Sequence, residues 1–410
     1  MKTTAFIFIL ILTLIGTSAC KKSTPVVELQ PKKIELTTKA SAVINHSNDF
    51  GIELFTRVAQ QEDGNLMLSP LSASVALTML LNGCQTDTYE QIKQMLGYPD
   101  DMSNDEINEA YQSLVSQLLT ADDKVKLSIA NAIFYRLGFN FKEPFLNTMS
   151  NDFDAEVQGL DFFLPSSVDV INQWASDNTQ GKIEKVIDGI SDETVMFLMN
   201  ALYFKGDWTS KFDKVNTADK AFTLDNGSTI QVPTMFQEKM KAIYYSGNGF
   251  EAVEMPYGRT NFSMIVIVPD EGLDAFYQDF NGESWSELTQ VFDEVPVWSD
   301  VMITLPKFKF DFEKILNDQL QQMGMNDAFY PDLADLSNIS DNSLYVSFVK
   351  QNTFVEVNEE GTEAAAVTTI GIDAVSIGPV IEVNKPFVFA IRERTTNTLL
   401  FIGSVANPIE

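Results

Sequence analysis

Apolar positions first recur along this chain at helical spacing. Phe50, Leu54, Phe55 and Val58 lie three and four residues apart and predict a helix, with order beginning near Asn48. Ser69 followed by Pro70 gives a cap residue and a first-turn proline, so a second helix starts there. Thr88 and Gln91 stand at capping-box spacing ahead of Ile92, Met95 and Leu96. Ser103 and Glu106 repeat that signature before Ile107, Tyr111, Leu114 and Leu118. From Leu127 the pattern changes to runs of β-branched and aromatic residues: 127–135, 194–204, 261–269, 301–310, 343–357, 385–391 and 399–405. One further helix, marked by Ile171, Trp174 and Ala175, interrupts them. Helices, then a mixture, then mostly strands predict an α+β fold on large sheets. No internal repeat or linker divides the chain beyond residue 50, so one domain is expected over 46–410.

The N-terminus is organised differently. Residues 21–45 are polar without a sustained period and read as a tether. Before them, one Lys precedes an apolar core from Ala5 to Ile15, then small residues lead to Cys20. That core is short for a membrane span and has the layout of an export signal. It resembles a bacterial lipoprotein signal over 1–19, with Cys20 as the lipidated first residue of a tether over 20–45. An ordinary cleavable signal is the alternative. A lipid at Cys20 would hold the protein at a bacterial envelope, at the outer membrane, the cell surface or the periplasmic side, without spanning the membrane.

Composition narrows the function. The 410 residues are 45% hydrophobic and include 30 Phe, enough for a large core. A net charge of −29 repels phosphate backbones and excludes nucleic acid as a natural partner. There is one histidine, His46, at the edge of the first helix, with no triad context, so histidine-based hydrolysis is disfavoured. Two cysteines and one histidine cannot build a His/Cys zinc site, and no metal or cofactor is expected. Cys84 ends an apolar helix and reads as a buried structural thiol. Gly247 and Gly249 form a lone G-x-G, which reads as a turn. The 57 acidic residues single out no catalytic pair. Glu356, Glu359 and Glu360 cluster, but a charged strand exit accounts for them.

The segment after Gly361 is unusual. Split by strand parity, one face holds Thr362, Ala364, Ala366, Thr368, Ile370 and Ile372. The other holds Glu363, Ala365, Val367, Thr369, Gly371 and Asp373. Both charges fall on one face, while Gly361 and the alanines anchor it poorly as a permanent strand. The segment suits exposure and insertion alike, as a two-state element does. An ordinary edge strand is the competing reading.

The stretch EEGTEAAAVTT (359–369) resembles the hinge of the serpins, the serine protease inhibitor family. SIGPVIEVNKPFVFAI (376–391) resembles that family's post-cleavage segment. Similar landmarks are NLMLSPLSASVAL (65–77), INQWASDNTQGKIEKVI (171–187), LMNALYFKGDWTSKF (198–212), VEMPYG (253–258), LPKFKF (305–310), MGMNDAF (323–329) and FIGSVANP (401–408). The resemblance covers the chain from Asn48. It implies three sheets, about nine helices and an exposed reactive-centre loop.

It also implies a suicide inhibitor rather than an enzyme. A target protease would cut the loop, form an acyl-enzyme, and be dragged and distorted as the loop inserts into the largest sheet. Family spacing sets the reactive bond at Val375 and Ser376, with Ala374 as the alternative attack point. Val before the cut suits an elastase-like pocket and not one seeking Arg, Lys or a large ring. The hinge implied is Glu360, Gly361, Thr362, Glu363, Ala364, Ala365, Ala366, Val367 and Thr368; small residues on its inserting face favour inhibition. Ser69, Ser72 and Asn200 match the family's sheet-opening region, and Trp208 matches the tryptophan where the loop first enters. Gln351 replaces a histidine common there and could hydrogen-bond to Asn200 or nearby serines. The expected partners are a serine protease and a membrane lipid, with the protein itself a monomer. A non-inhibitory serpin that binds or presents something is the alternative.

Overall fold

Residues 30–295, 298–362 and 378–410 are described by a computed structural model. The chain opens with α1 (Thr38–Ala59), β1 (Leu66–Leu68), α2 (Pro70–Gly83), α3 (Thr86–Met95) and α4 (Asn104–Leu118). Next come β2 (Val125–Arg136), α5 (Glu143–Asp152), β3 (Ala155–Leu160), α6 (Ser166–Asn178) and β4 (Met196–Asp207). After these stand β5 (Ala218–Thr223), β6 (Thr229–Gly247), β7 (Phe250–Pro256), β8 (Phe262–Pro269), α7 (Leu273–Asp279) and α8 (Gly282–Glu294). The chain continues through β9 (Ser299–Pro306), β10 (Phe308–Ile315), α9 (Asn317–Gln322), β11 (Lys350–Asn358) and β12 (Gly361–Thr362). It ends with β13 (Val380–Glu382), β14 (Phe387–Glu393) and β15 (Thr398–Val405). The architecture is the expected α+β one, with nine α-helices among the described residues.

β10, β11, β12, β4, β2 and β3 form a six-stranded sheet in that order. The other strands follow the path β1, β15, β14, β8, β7, β6, β9, β13, with β5 also on β6. β6 is 19 residues long, pairs β7 near its end and β5 and β9 earlier, and shifts register between Gln237 and Met240. Two of the three expected sheets therefore share one continuous strand.

The six-stranded sheet is covered on both faces. α2 is buried on nearly every side, as suits a helix apolar all round, and packs against α1, β4 and β15. On the opposite face, Ile171, Trp174 and Ala175 of α6 pack on Ala132, Phe134, Phe197 and Ala201. Alternation along β4 serves both: Asn200 meets α2 through Ser72, while Phe197 and Ala201 face α6.

Four sequence expectations change. The tether was expected to reach residue 45, but α1 begins at Thr38, where the Thr37 hydroxyl accepts from Ala40 N at 3.1 Å. Ile34, Ala40, Val43 and Ile44 are buried. Polar residues hid this helix: Ser47 and Asn48 occupy core positions, hydrogen-bonded to Ser74 and to the backbone at Asn397 and Leu399. α3 begins before Thr88, which is buried and accepts from Asp335 N, while Gln91 accepts from Asn326 N and Asp327 N. The run 301–310 divides at Lys307 into β9 and β10, which lie in different sheets. The run 343–357 is strand only from Lys350. Ser103 and Glu106 do form the capping box. Cys84 is buried at the end of α2, its thiol donating to Leu80 O at 3.2 Å, and burial pushes that thiol far up.

Candidate functional site: the hinge and the slot below it

After β11 the chain turns at Glu359 and Glu360 and doubles back as β12. Gly361 and Thr362 pair Asn358 and Val357 of β11 on one side, and Asp207 and Gly206 of β4 on the other. Among the described residues, β4 and β11 share no ladder of their own, and β12 is the strand between them. The position demands glycine: Gly361 has φ +151°, and a Cβ there would stand 2.0 Å from Gly206 O.

The turn is held from several elements. Trp208 N donates to Glu360 O at 2.8 Å and Phe212 N to Glu359 O at 3.0 Å. The Trp208 indole N–H donates to Asn358 O at 3.0 Å, and its ring stacks on Tyr257 at 4.3 Å between centres. Tyr257 and Thr362 share a hydroxyl hydrogen bond of 2.7 Å, which turns the Thr362 side chain into the core. Glu360 pairs with Lys211 at 2.9 Å and Lys214 at 3.1 Å. Glu359 meets Lys307 at 3.0 Å and accepts from the Thr217 hydroxyl at 2.8 Å. Burial pushes both carboxyls up. Hydrogen bonds outweigh it: Lys211 and Lys214 hold Glu360 below its ordinary value, and its own backbone N–H, Lys307 and Thr217 do the same for Glu359.

Lower in the sheet a polar chain crosses from α2 to β2. The Ser69 hydroxyl accepts from Ser72 N at 3.2 Å, capping α2, and donates to Leu400 O at 2.8 Å. Gln351 on β11 grips the Ser69 backbone twice, accepting from its N–H and donating to its C=O, each at 2.9 Å. The Ser72 hydroxyl donates to the Asn200 carboxamide, which donates to Asn131 at 2.6 Å, and Asn131 donates to Phe153 O at 2.7 Å. Gln351 thus binds Ser69 rather than Asn200. A cavity of about 250 Å³ lies between these strands, lined by Leu77 and Leu80 of α2 and by Trp174 of α6. It reaches both faces of the sheet.

The structure therefore brings Glu360, Gly361, Thr362 and Trp208 together at the top of the slot, with Ser69, Ser72, Asn200 and Gln351 at its middle. Glu363, Ala364, Ala365, Ala366, Val367, Thr368, Ala374, Val375, Ser376 and Cys20 lie outside the described residues. Sequence reasoning missed Tyr257, Lys211, Lys214, Thr217, Lys307 and Asn131. Tyr257, Lys211 and Lys307 sit inside stretches already singled out as landmarks, so for these location was available but partnership was not. His46 lies within α1, and among the described residues no cluster of three His, Cys, Asp or Glu is placed to hold a metal.

An α+β body whose main sheet is parted by the start of a returning strand defines a class of its own, and the comparisons name it. The profile described as "Serpin (serine protease inhibitor)" matches residues 45–408. A leukocyte elastase inhibitor of Xenopus tropicalis is 34% identical over 375 residues, covering 88% of this chain and 97% of that one. Human neuroserpin is 32% identical, with 88% and 90% covered. The thermophilic serpin tengpin, solved in its native state, superposes with a TM-score of 0.80 at 31% identity, covering 92% of this chain and 96% of that one. The chain belongs to the serpin family, whose members inhibit proteases rather than catalyse a reaction.

Proposed function

We propose that this protein is a suicide inhibitor of elastase-like serine proteases, acting by cleavage between Val375 and Ser376 and insertion of the cut loop into the six-stranded sheet. The observation that carries this reading is β12: two hinge residues already seated between β11 and β4, above a cavity that opens on both faces. Continuing both ladders downward would bring Thr368 between Gln351 and Asn200, so the polar chain from Ser69 to Asn131 stands where an inserted strand would pass. The parity supports it too, since Thr362 faces inward as the first of the small inserting side chains. The protease would be held as an acyl-enzyme, its release outpaced by insertion, and the free energy stored in the unfilled sheet would drive the step. Val375 suits a small aliphatic pocket. The leukocyte elastase inhibitors among its relatives point the same way. We further propose a lipid anchor at Cys20 at the bacterial envelope; replacing Cys20 by Ser should move the protein from the membrane to the soluble fraction.

The test is incubation with elastase followed by a denaturing gel. A covalent band at the summed mass is expected. Clean cleavage at Val375 with no such band would overturn the inhibitor reading and favour a non-inhibitory serpin.

A further inference from the structure

Residues 30–37 belong to the stretch expected as tether, yet they lie against the body and are held there chiefly by their backbone. Lys32, Lys33 and Glu35 are exposed, and Ile34 is the one buried side chain among residues 30–37. Side chains from three separate elements grip the main chain instead. The Asn261 carboxamide, in the turn between β7 and β8, accepts from Lys32 N at 2.8 Å and donates to Lys32 O at 2.7 Å. Gln117, in the last turn of α4, treats Glu35 the same way, accepting from its N–H and donating to its C=O at 3.0 Å each. Between them the Thr395 hydroxyl accepts from Ile34 N at 3.1 Å. A carboxamide carries acceptor and donor side by side, so each one pairs a residue much as a neighbouring strand would. The Lys32 ammonium adds a bond to Thr120 O at 3.0 Å, just past α4.

The turn that holds Lys32 also holds the hinge. At its start, Tyr257 shares the hydroxyl hydrogen bond with Thr362, and its N–H donates to Phe262 O at 2.8 Å. Gly258 N donates to Asp207 O at 2.8 Å and the Thr209 hydroxyl donates to Gly258 O at 3.0 Å, tying the turn to the end of β4. Buried Asp122 accepts from Arg259 N at 2.6 Å and from Lys124 N at 2.9 Å, tying it to the residues that lead into β2. The seat is close: Gly258 has φ +49°, and a Cβ there would stand 2.6 Å from the Asp122 carboxylate. The five residues from Tyr257 to Asn261 thus meet the N-terminal segment at one end and Thr362 at the other.

We propose that residues 32–35 are a detachable strap, and that its seating on Asn261 fixes the Tyr257 turn and so sets how firmly Thr362 is held. The strap depends on side-chain hydrogen bonds and one aliphatic side chain, each worth little alone, so it opens without the core opening. A pull on the chain before Gln30 therefore reaches the hinge through a single turn. The coupling is a property of the native state and stands whether or not the chain traps a protease.

Hydrogen exchange on the full chain tests it with Ile34→Asp, which puts a charge at the strap's buried position and alters no residue of the turn. Exchange of 32–35 should become fast. Protection at 257–262 and 358–362 should fall about three- to tenfold, roughly the worth of one neutral hydrogen bond. Residues 387–391 and 399–405 in the core strands should keep parent rates, and Ile34→Val should keep parent protection throughout. Should Ile34→Asp fail to fold, Gln117→Ala, which frees Glu35 alone, is judged by the same sites. Parent protection at 257–262 and 358–362 once the strap exchanges freely overturns the coupling. A strap that stays protected overturns its detachability. Equal loss in the core strands also overturns the proposal, since the whole fold would then have loosened. Trapping of elastase plays no part in this readout, so failure of the inhibitor reading would leave the result intact.

Discussion

Thr362 is the residue at which native contacts and inhibitory function compete most directly. Its side chain is buried against Tyr257 in the native state, and the same pocket would receive it in the inserted one. Thr362→Arg would need to bury an unpartnered guanidinium, at a cost of several kcal/mol. The covalent band with elastase should vanish and a cleaved product replace it, read on a denaturing gel. Glu359 and Glu360 act from the other side of the turn. Their pKa values are depressed from an ordinary 4.5 by their lysine and hydrogen-bond partners. Their stabilisation is therefore complete above pH 4.5 and is lost as pH falls through the lower, folded values. Protection factors at the amides of 358–362, each rate taken relative to an unstructured amide at the same pH, should be high at pH 7 and fall below pH 4.5. Unchanged protection in acid would show that the backbone bonds from Trp208 and Phe212 suffice alone.

Among the elements, β11 and α2 are joined by one side chain. Gln351 satisfies both the N–H and the C=O of buried Ser69, at the residue that caps α2. Gln351→Ala would strand two buried backbone groups, costing about 1–3 kcal/mol each. The apparent melting temperature should drop by several degrees, and the sheet should open more readily toward a self-inserted form, seen as activity lost on gentle warming. Helix α2 itself was legible in the sequence from Ser69, Pro70 and its apolar run. Its partner was not, because Gln351 lies 282 residues away and no local pattern reports that bond. The same is true of α1, whose first two turns looked like tether because Thr38, Lys39, Ser41 and Asn45 break up the few apolar residues Ala40, Val43 and Ile44, while polar Ser47 and Asn48 just beyond are buried among distant partners.

For the whole molecule, the reading turns on a fold that stops short of its most stable arrangement. Cleavage between Val375 and Ser376 should then raise the melting temperature, since it frees a strand to fill the slot between β4 and β11. An unchanged melt after verified cleavage would count against insertion. Selectivity belongs to the same scale: with Val before the cut, trypsin-like proteases should be inhibited roughly 10²-fold less well than elastase, measured as association rates.

The sequence by itself determined the α+β order, the place of most strands and several helix caps, and the alternating small and charged faces after Gly361. These are properties of neighbouring residues: period, capping chemistry and side-chain size act within a few positions. The resemblance of its ordered motifs to serpins supplied the reactive bond proposed at Val375. Tertiary structure alone decided that β12 wedges between β4 and β11, that Tyr257 and Trp208 grip the hinge, and that Gln351 holds Ser69. Each of those contacts joins residues far apart in the chain, and only the closed sheet fixes their register.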